Sequence, residues 1–351
     1  ISVLNGFEMQ VNKKIRDFDG DFKVSGLGLD EDLLIFESID EIEMISPNRE
    51  RRGLISFDSK SKVVLFKEVD IDILEKFYRI PIIGIYPTKD QILIGYDIAS
   101  RLGIKVGDEI IISSPIDQTF MFGFTPSLKI QVSGLFQSRI LDYDDRVSFI
   151  SKDIGSKLFH KVSQNNFIDI RTKYQYKNKD LKKKISQLFD SSIKIDSWED
   201  RHATLVKAMK LEKIGSIIGL SLIILVASFN MVATLSLINI KKIKDIGILR
   251  VLGAKVSDLR IILFFQALII GGRGVFFGLL IGVGLVYMQN IFSFIKLPSD
   301  IYAMDSLPMI LSINDVLFII LICFCFIIFP GWISGKKVSD FNLIEALKWG
   351  K

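Results

Sequence analysis

Three long apolar runs, all in the last 140 or so residues, constrain this chain more than any other feature. The first covers about Ile214–Ile238 (IGSIIGLSLIILVASFNMVATLSLI), with no charge between Lys213 and Lys241. The second covers about Ile261–Met288 and is interrupted only by Arg273, and the third covers about Val316–Ile333. About 20 apolar residues at ~1.5 Å each cross ~30 Å of hydrocarbon, so each run meets or approaches the length of a spanning helix. One such run could be a buried helix of a soluble core; three together exclude that reading.

The charge is distributed to match. Residues 1–213 carry 33 basic and 33 acidic side chains, whereas residues 214–351 carry 12 and 7, which accounts for the whole formal +5. A mean hydropathy of +0.36 beside 24% charged residues requires the same segregation. The excess positive charge therefore sits in the apolar half, which is a membrane pattern and excludes a basic nucleic-acid face. Residues 241–260 carry six basic and two acidic side chains, and the tail after the third run carries Lys336, Lys337, Lys348 and Lys351 against Asp340 and Glu345. The connection around 290–315 has Lys296 against Asp300, Asp305 and Asp315. The positive-inside rule places the first loop and the tail in the cytoplasm, and residues 1–213 on the opposite side.

The chain opens on Ile1, and ISVLNGFEMQ is too short to span. It reads as the outer end of a first spanning helix whose beginning is missing, which would restore an even number of crossings; a processed N-terminus is the alternative. Residues 10–205 read as an α+β domain, with strands near Val63–Phe66, Glu109–Ser113, Lys129–Leu135, Val147–Ile150, Phe167–Arg171 and Ile193–Ile195. Helical spacing is expected over Ile71–Tyr78, Gln91–Leu102 and Asp180–Phe189.

Several chemistries are absent. Cys323 and Cys325 stand two apart in an apolar run and cannot pair on a helix, and His160 and His202 are far apart, so neither a disulfide framework nor a metal site is expected. There is no GxxxxGK[ST], HExxH or GxSxG, and no carboxylate sits in an isolated apolar context. No enzymatic site and no cofactor of this chain's own are expected. Gly274, Gly278 and Gly282 recur every four residues, which suits close helix packing or a sliding interface. Arg273 lies among them, either reaching for the membrane surface or facing a polar partner.

The cytoplasmic loop carries the most specific pattern. KKIKDIGILRVLGAKVSDLR sets Ile243, Ile246, Leu249 and Val251 or Leu252 on one side, ringed by Lys242, Lys244, Asp245 and Arg250, with Gly253 as a helix stop. Such a helix can lie on the membrane or insert into a groove of a partner. The run DIGILRVLGA before a glycine-rich span, and the ending IEALKWGK, resemble the FtsX-type ABC permease superfamily. VLNGFE, RLGIKVGDEI, LDYDDRVSFI and SWEDRHATLVKAMKLEK narrow the resemblance to the lipoprotein-releasing permeases LolC and LolE, in order and over nearly the whole chain. Arg273 departs from that family, where the position is apolar.

The resemblance implies an α-helical membrane domain of four spanning helices, the first largely missing here, plus a large α+β extracytoplasmic domain of MacB/Lol type. The segments are 1–9 (end of the first spanning helix), 10–205 (periplasmic domain), 206–240 (stalk and second span), 241–260 (coupling helix), 261–289 (third span), 290–315 (periplasmic loop), 316–334 (fourth span) and 335–351 (tail). It implies a noncatalytic subunit of the inner membrane, paired with a second LolC/LolE-like permease and a LolD-like ATPase that holds ATP and Mg. Lipoproteins would pass from membrane lipid to a LolA-like periplasmic carrier. Residues Lys244, Asp245, Ile246, Gly247, Leu249, Arg250, Leu252 and Gly253 would contact the ATPase. A hook-like hairpin at Pro115–Ser127 would capture the carrier through Gln118, Phe120, Met121, Phe122, Phe124 and Pro126, unless it folds back on its own domain. Met209, Leu220 and Phe229 would line a cavity for acyl chains, or serve ordinary bundle packing. A MacB-like efflux permease and an FtsX-like mechanical subunit controlling a cell-wall hydrolase are the alternatives.

Overall fold

Residues 1–26, 33–115, 125–159, 166–173, 178–189, 193–297 and 306–339 are described by the computed structural model. They fall into two units, one of residues 10–206 and one formed by residues 1–9 with 207–351.

The unit of residues 10–206 is built on a ten-stranded sheet. Its strands are β1 (Phe22–Ser25), β2 (Ile42–Phe57), β3 (Lys60–Val69), β4 (Ile82–Gly84), β5 (Gln91–Gly95), β6 (Glu109–Ser113), β7 (Ser127–Phe136), β8 (Val147–Ser151), β9 (Asn166–Thr172) and β10 (Lys194–Ser197). They run β10-β1-β9-β2-β3-β8-β5-β7-β4, and β6 bridges β2 and β7. β3–β8 and β5–β7 are parallel and the other pairings antiparallel. Helices α1 (Ser2–Asp19), α2 (Leu33–Glu37), α3 (Ile71–Phe77), α4 (Tyr96–Leu102), α5 (Leu141–Asp144), α6 (Lys152–Leu158), α7 (Asn178–Leu188) and α8 (Trp198–Arg201) accompany it.

Side-chain alternation decides the layers. Ile92 and Ile94 of β5 pack with Ile98 and Leu102 of α4 and with Ile154 and Leu158 of α6. Leu93, between them, joins Phe149, Phe136, Leu74, Phe77 and Phe18 in a second cluster. Because successive side chains on a strand point to opposite faces, β5 is apolar throughout and buried on both sides. This corrects the expected helix over Gln91–Leu102: its first five residues are strand, and the helix begins at Tyr96. Gly95 makes the junction, since a Cβ there would collide with the Asp144 carbonyl. A third cluster gathers Phe36 of α2 and Leu181 and Ile185 of α7 over Phe22, Ile168 and Ile195. Phe18 closes the second cluster by stacking on Tyr143, ring centroids 3.9 Å apart.

The other unit contains α9 (Ala203–Lys241), α10 (Ile243–Val251), α11 (Val256–Phe292) and α12 (Ile313–Ser339). Among the described residues, α9, α11 and α12 are the helices long and apolar enough to cross a membrane, with mean hydropathies of 2.2, 2.0 and 2.6 over their most apolar stretches. The expected fourth crossing is not among them. Residues 1–9 open α1, which continues to Asp19 and stops at Gly20, whose φ of +72° a side chain rarely adopts.

Candidate functional site

An apolar groove of about 510 Å³ lies between α9, α11 and α12. Its walls include Ile224 and Met231 of α9, Gly278 of α11, and Ile320 and Phe326 of α12. The lining is almost wholly hydrocarbon because its polar atoms are already engaged. Pro330 has no N–H to give the carbonyl four residues earlier, and the Ser228 hydroxyl donates to that Phe326 carbonyl at 3.0 Å.

Gly274, Gly278 and Gly282 all border this groove. A Cβ at any of the three would meet nothing within 4 Å among the described residues, so within this chain they make no close helix crossing. The crossing of α11 with α12 is made elsewhere. A Cβ on Gly271 would press on Ile327 at 2.7 Å, and one on Gly331 would approach Ala267 at 3.1 Å. Met209, Leu220 and Phe229 do not line the groove either. Met209 is buried, whereas Leu220 and Phe229 are exposed. Met209 and Phe229 lie about 30 Å apart along α9 at ~1.5 Å per residue.

A polar junction joins three segments of this unit. Asn5 donates to Asp315 and accepts from Lys213 Nζ at 2.9 Å, while Lys213 lies 3.7 Å from Asp315. The Ile310 amide donates to the Ser2 carbonyl at 2.9 Å, and a Cβ on Gly6 would collide with the Pro308 carbonyl. The Asn5-Gly6 pair inside VLNGFE thus has a physical role that composition did not reveal: one side chain satisfies two partners, and the missing one lets two backbones touch.

The connection between α9 and α11 forms α10. Ile243, Ile246 and Arg250 are half-buried and Gly247 is buried, while Lys244, Asp245, Ile248, Leu249, Val251, Leu252 and Gly253 are exposed. The expected apolar side is therefore divided: Ile243 and Ile246 face inward, and Leu249, Val251 and Leu252 face out with Ile248. A 100° step per residue explains this, because Val251 and Leu252 do not lie on the Ile243–Ile246 stripe. Gly253 takes φ +100° and the Ala254 amide reaches back to the Leu249 carbonyl at 3.0 Å, the six-to-one bond of a glycine helix stop.

In the unit of residues 10–206, β6 and β7 pair from Glu109↔Gln131 to Ser113↔Ser127 and so frame the expected hairpin. Pro126 accepts from the Ser114 amide at 3.1 Å. Gln118, Phe120, Met121, Phe122 and Phe124 lie outside the described residues.

This unit also holds a buried ionic cluster. Lys67 Nζ pairs with Asp169 at 2.6 Å, their side chains 2% and 0% exposed. Asp19 lies 3.1 Å from Arg201, accepts from Tyr143 Oη at 2.6 Å, and sits 3.2 Å from His202 Nε2. Burial pushes the Asp19 carboxyl up, but the Arg201 charge and the bonds from His202 and Tyr143 outweigh it and hold it well below the usual carboxylate range. Burial and the adjacent Asp19 charge push the Tyr143 phenol far upward, which keeps it a donor. Glu68 corrects the expectation that no carboxylate is apolar in its setting. It is buried against Gly155, and desolvation raises its pKa despite Arg49 and Arg51. Among the described residues, no group of three or more His, Cys, Asp or Glu could hold a metal ion.

Residues 217–343 match the family model of the FtsX-like permease C-terminal domain. The lipoprotein-releasing system transmembrane protein LolC of Xylella fastidiosa is 26% identical over 303 residues, covering 82% of this chain and 72% of that protein. The LolE protein of the corresponding system in Haemophilus influenzae is 23% identical, covering 99% of this chain and 89% of that protein. Among solved structures, the periplasmic region of MacB from Actinobacillus actinomycetemcomitans is similar with a TM-score of 0.38 and 11% identity, over 56% of this chain and 97% of that one.

Proposed function

We propose that this chain, an FtsX-like ABC transporter permease related to LolC and LolE, releases lipoproteins from the inner membrane. In this reading it pairs with a second permease of the same kind and draws on a separate ATPase, which holds ATP and Mg. The cargo passes to a soluble periplasmic carrier, met by the Pro115–Ser127 hairpin. The observation that carries the reading is α10. It is a nine-residue helix inside the matched domain, between two spanning helices, with Ile248, Leu249, Val251 and Leu252 all exposed beside Lys244. Apolar side chains ringed by charge on a rigid, capped helix suit insertion into a groove of a partner.

Mechanically, α9 is one uninterrupted helix of 39 residues from Ala203 to Lys241, and it is the element along which movement of α10 would travel outward. The chain itself needs no catalytic group, because the chemistry belongs to the ATPase. Its own task is to couple, to bind and to hand over.

The test is reconstitution of the two permeases with the free-standing ATPase in proteoliposomes carrying a triacylated lipoprotein. Leu252→Asp should leave membrane levels intact while co-purification of the ATPase and lipoprotein release to added carrier both fall at least tenfold. Release at the wild-type rate from the Leu252→Asp protein would overturn the coupling role. ATPase co-purification without any lipoprotein release from the wild type would overturn the cargo.

A further inference from the structure

The two edges of the ten-stranded sheet are finished differently. β10, at one end of the strand order, carries Lys194 and Asp196, paired with each other at 2.6 Å. Charged side chains on an edge strand keep other chains from adding to it. β4, at the other end, has no such protection: residues 80–86 read IPIIGIY, without a charge. Ile82 and Tyr86 pack into the second cluster, whereas Ile83 and Ile85 are 49% and 64% exposed. Val106, next to Gly84, is exposed as well.

The backbone defines what fits there. β4 pairs with β7 alone, in register from Ile82↔Phe136 to Gly84↔Gly134. The Gln137 amide donates to the Pro81 carbonyl at 3.0 Å and the Ile85 amide to the Ser133 carbonyl at 3.1 Å, so the odd-numbered residues bond to β7. Antiparallel strands alternate in this respect. Ile82 and Gly84 therefore turn their N–H and C=O groups the other way, to a side where no described strand lies. Gly84 has φ +104°, and a Cβ there would collide with the Ser133 carbonyl; its missing side chain also leaves the edge open to close approach by another backbone. Outward main-chain donors and acceptors beside exposed isoleucines specify an extended polypeptide with apolar side chains at alternate positions. Recognition through main-chain bonds tolerates many sequences, which suits a machine that moves many different proteins.

We propose that the free edge of β4 seats the polypeptide of the cargo: the extended stretch of a lipoprotein between its acylated residue and its folded body adds to β4 as a further strand. This rests on the lipoprotein-release reading, and it goes further by naming the part of the cargo that is held and the strand that holds it.

A photo-crosslinking amino acid at Ile85 reads the contact, in the full chain reconstituted with the second permease and the ATPase in proteoliposomes carrying a triacylated lipoprotein. The expected adduct, mapped by mass spectrometry, joins position 85 to the extended stretch of the cargo. Ile82→Pro removes an outward N–H while sparing the bonds to β7, and should lower the adduct about fivefold, the worth of one main-chain bond. Ile83→Lys, which places a charge on the bare edge, should lower it at least as much. Val63→Lys, at an exposed position on β3 in the interior of the sheet order, should leave it unchanged. A cargo whose extended stretch is replaced by alternating prolines cannot supply a strand's donors and should give no adduct. An adduct to the folded body of the cargo, an adduct between two copies of this chain, a yield undiminished by Ile83→Lys or by the proline-bearing cargo, or no adduct at all would each overturn the proposal. Release to added carrier is measured in the same vesicles. Release without the adduct sinks this inference alone, whereas no release by the wild type sinks the reading beneath it.

Discussion

The hydroxyl of Ser228 on α9 donates at 3.0 Å to the carbonyl of Phe326 on α12, the acceptor that Pro330 leaves without its helical partner. Proline inside a helix both removes a donor and pushes on the carbonyl four residues back. In hydrocarbon no water can take over that carbonyl, so a neighbouring helix must. A local defect in α12 has thereby become a specific bond between two helices.

Replacing Ser228 by Ala should destabilise the detergent-solubilised protein by about 1 kcal/mol, the scale measured for such bonds between spanning helices. In a Pro330→Ala background, where the helix can bond its own carbonyl, the same substitution should cost little. Thermal melting of the four proteins in the cycle tests this. Equal costs in both backgrounds would separate Ser228 from Pro330.

Asp19 makes a different kind of connection, holding Arg201, His202 and Tyr143 around the last residue of α1. Removing its charge leaves a guanidinium that is mostly buried without its partner, so Asp19→Asn should cost about 3–5 kcal/mol. The pH dependence has a definite sign. The folded carboxyl lies far below its ordinary value of 3.8, so the stabilisation is complete above that value and drains away as pH falls below about 4. Denaturant melts between pH 7 and pH 3 should show the gap between wild type and Asp19→Asn closing at the acid end.

The long apolar helices and most strands were legible because each rests on a local pattern: a long apolar run or a short β-branched stretch. β5 was not, since Ile92, Leu93 and Ile94 all face core and lose the alternation that marks a half-buried strand. The long β2 was not among the expected strands, because the charged run Arg49, Glu50, Arg51 and Arg52 breaks its apolar alternation; in the fold Lys23 and Lys67 neutralise Glu50. The groove escaped for a different reason. Spacing places Gly274, Gly278 and Gly282 on one face of α11 but says nothing of what lies opposite, and opposite them is open space. The Asn5–Lys213–Asp315 junction joins residues up to 310 apart, beyond any sequence window.

The glycines separate into two classes that mutation can distinguish. Alanine at Gly274, Gly278 or Gly282 meets nothing, and it should gain up to ~1 kcal/mol of helix propensity. Alanine at Gly271 presses on Ile327 within 2.7–3.0 Å, and overpacking of that kind costs about 1–3 kcal/mol. Melting temperatures of the solubilised variants should therefore rise or hold at the first three positions and fall at the fourth. The reverse order would return the close crossing to the four-residue glycine stripe.

The Asn5 junction predicts a ranking. Gly6→Ala forces a methyl group into the Pro308 carbonyl, where backbone has to move, and should be the most damaging, at about 2–3 kcal/mol. Asn5→Ala gives up a bond to Asp315 and one from Lys213, each worth ~1 kcal/mol or less at this partial exposure. Lys213→Met removes an ion pair 3.7 Å long between side chains 32% and 24% exposed, which screening reduces to a few tenths of a kcal/mol beyond the lost Asn5 bond. Asn5→Ala and Asp315→Ala should be non-additive by at least ~0.5 kcal/mol, since they remove the same bond. Strict additivity in that cycle would mean that the two side chains do not meet, and Gly6 would then be left as the sole reason for the Asn-Gly pair.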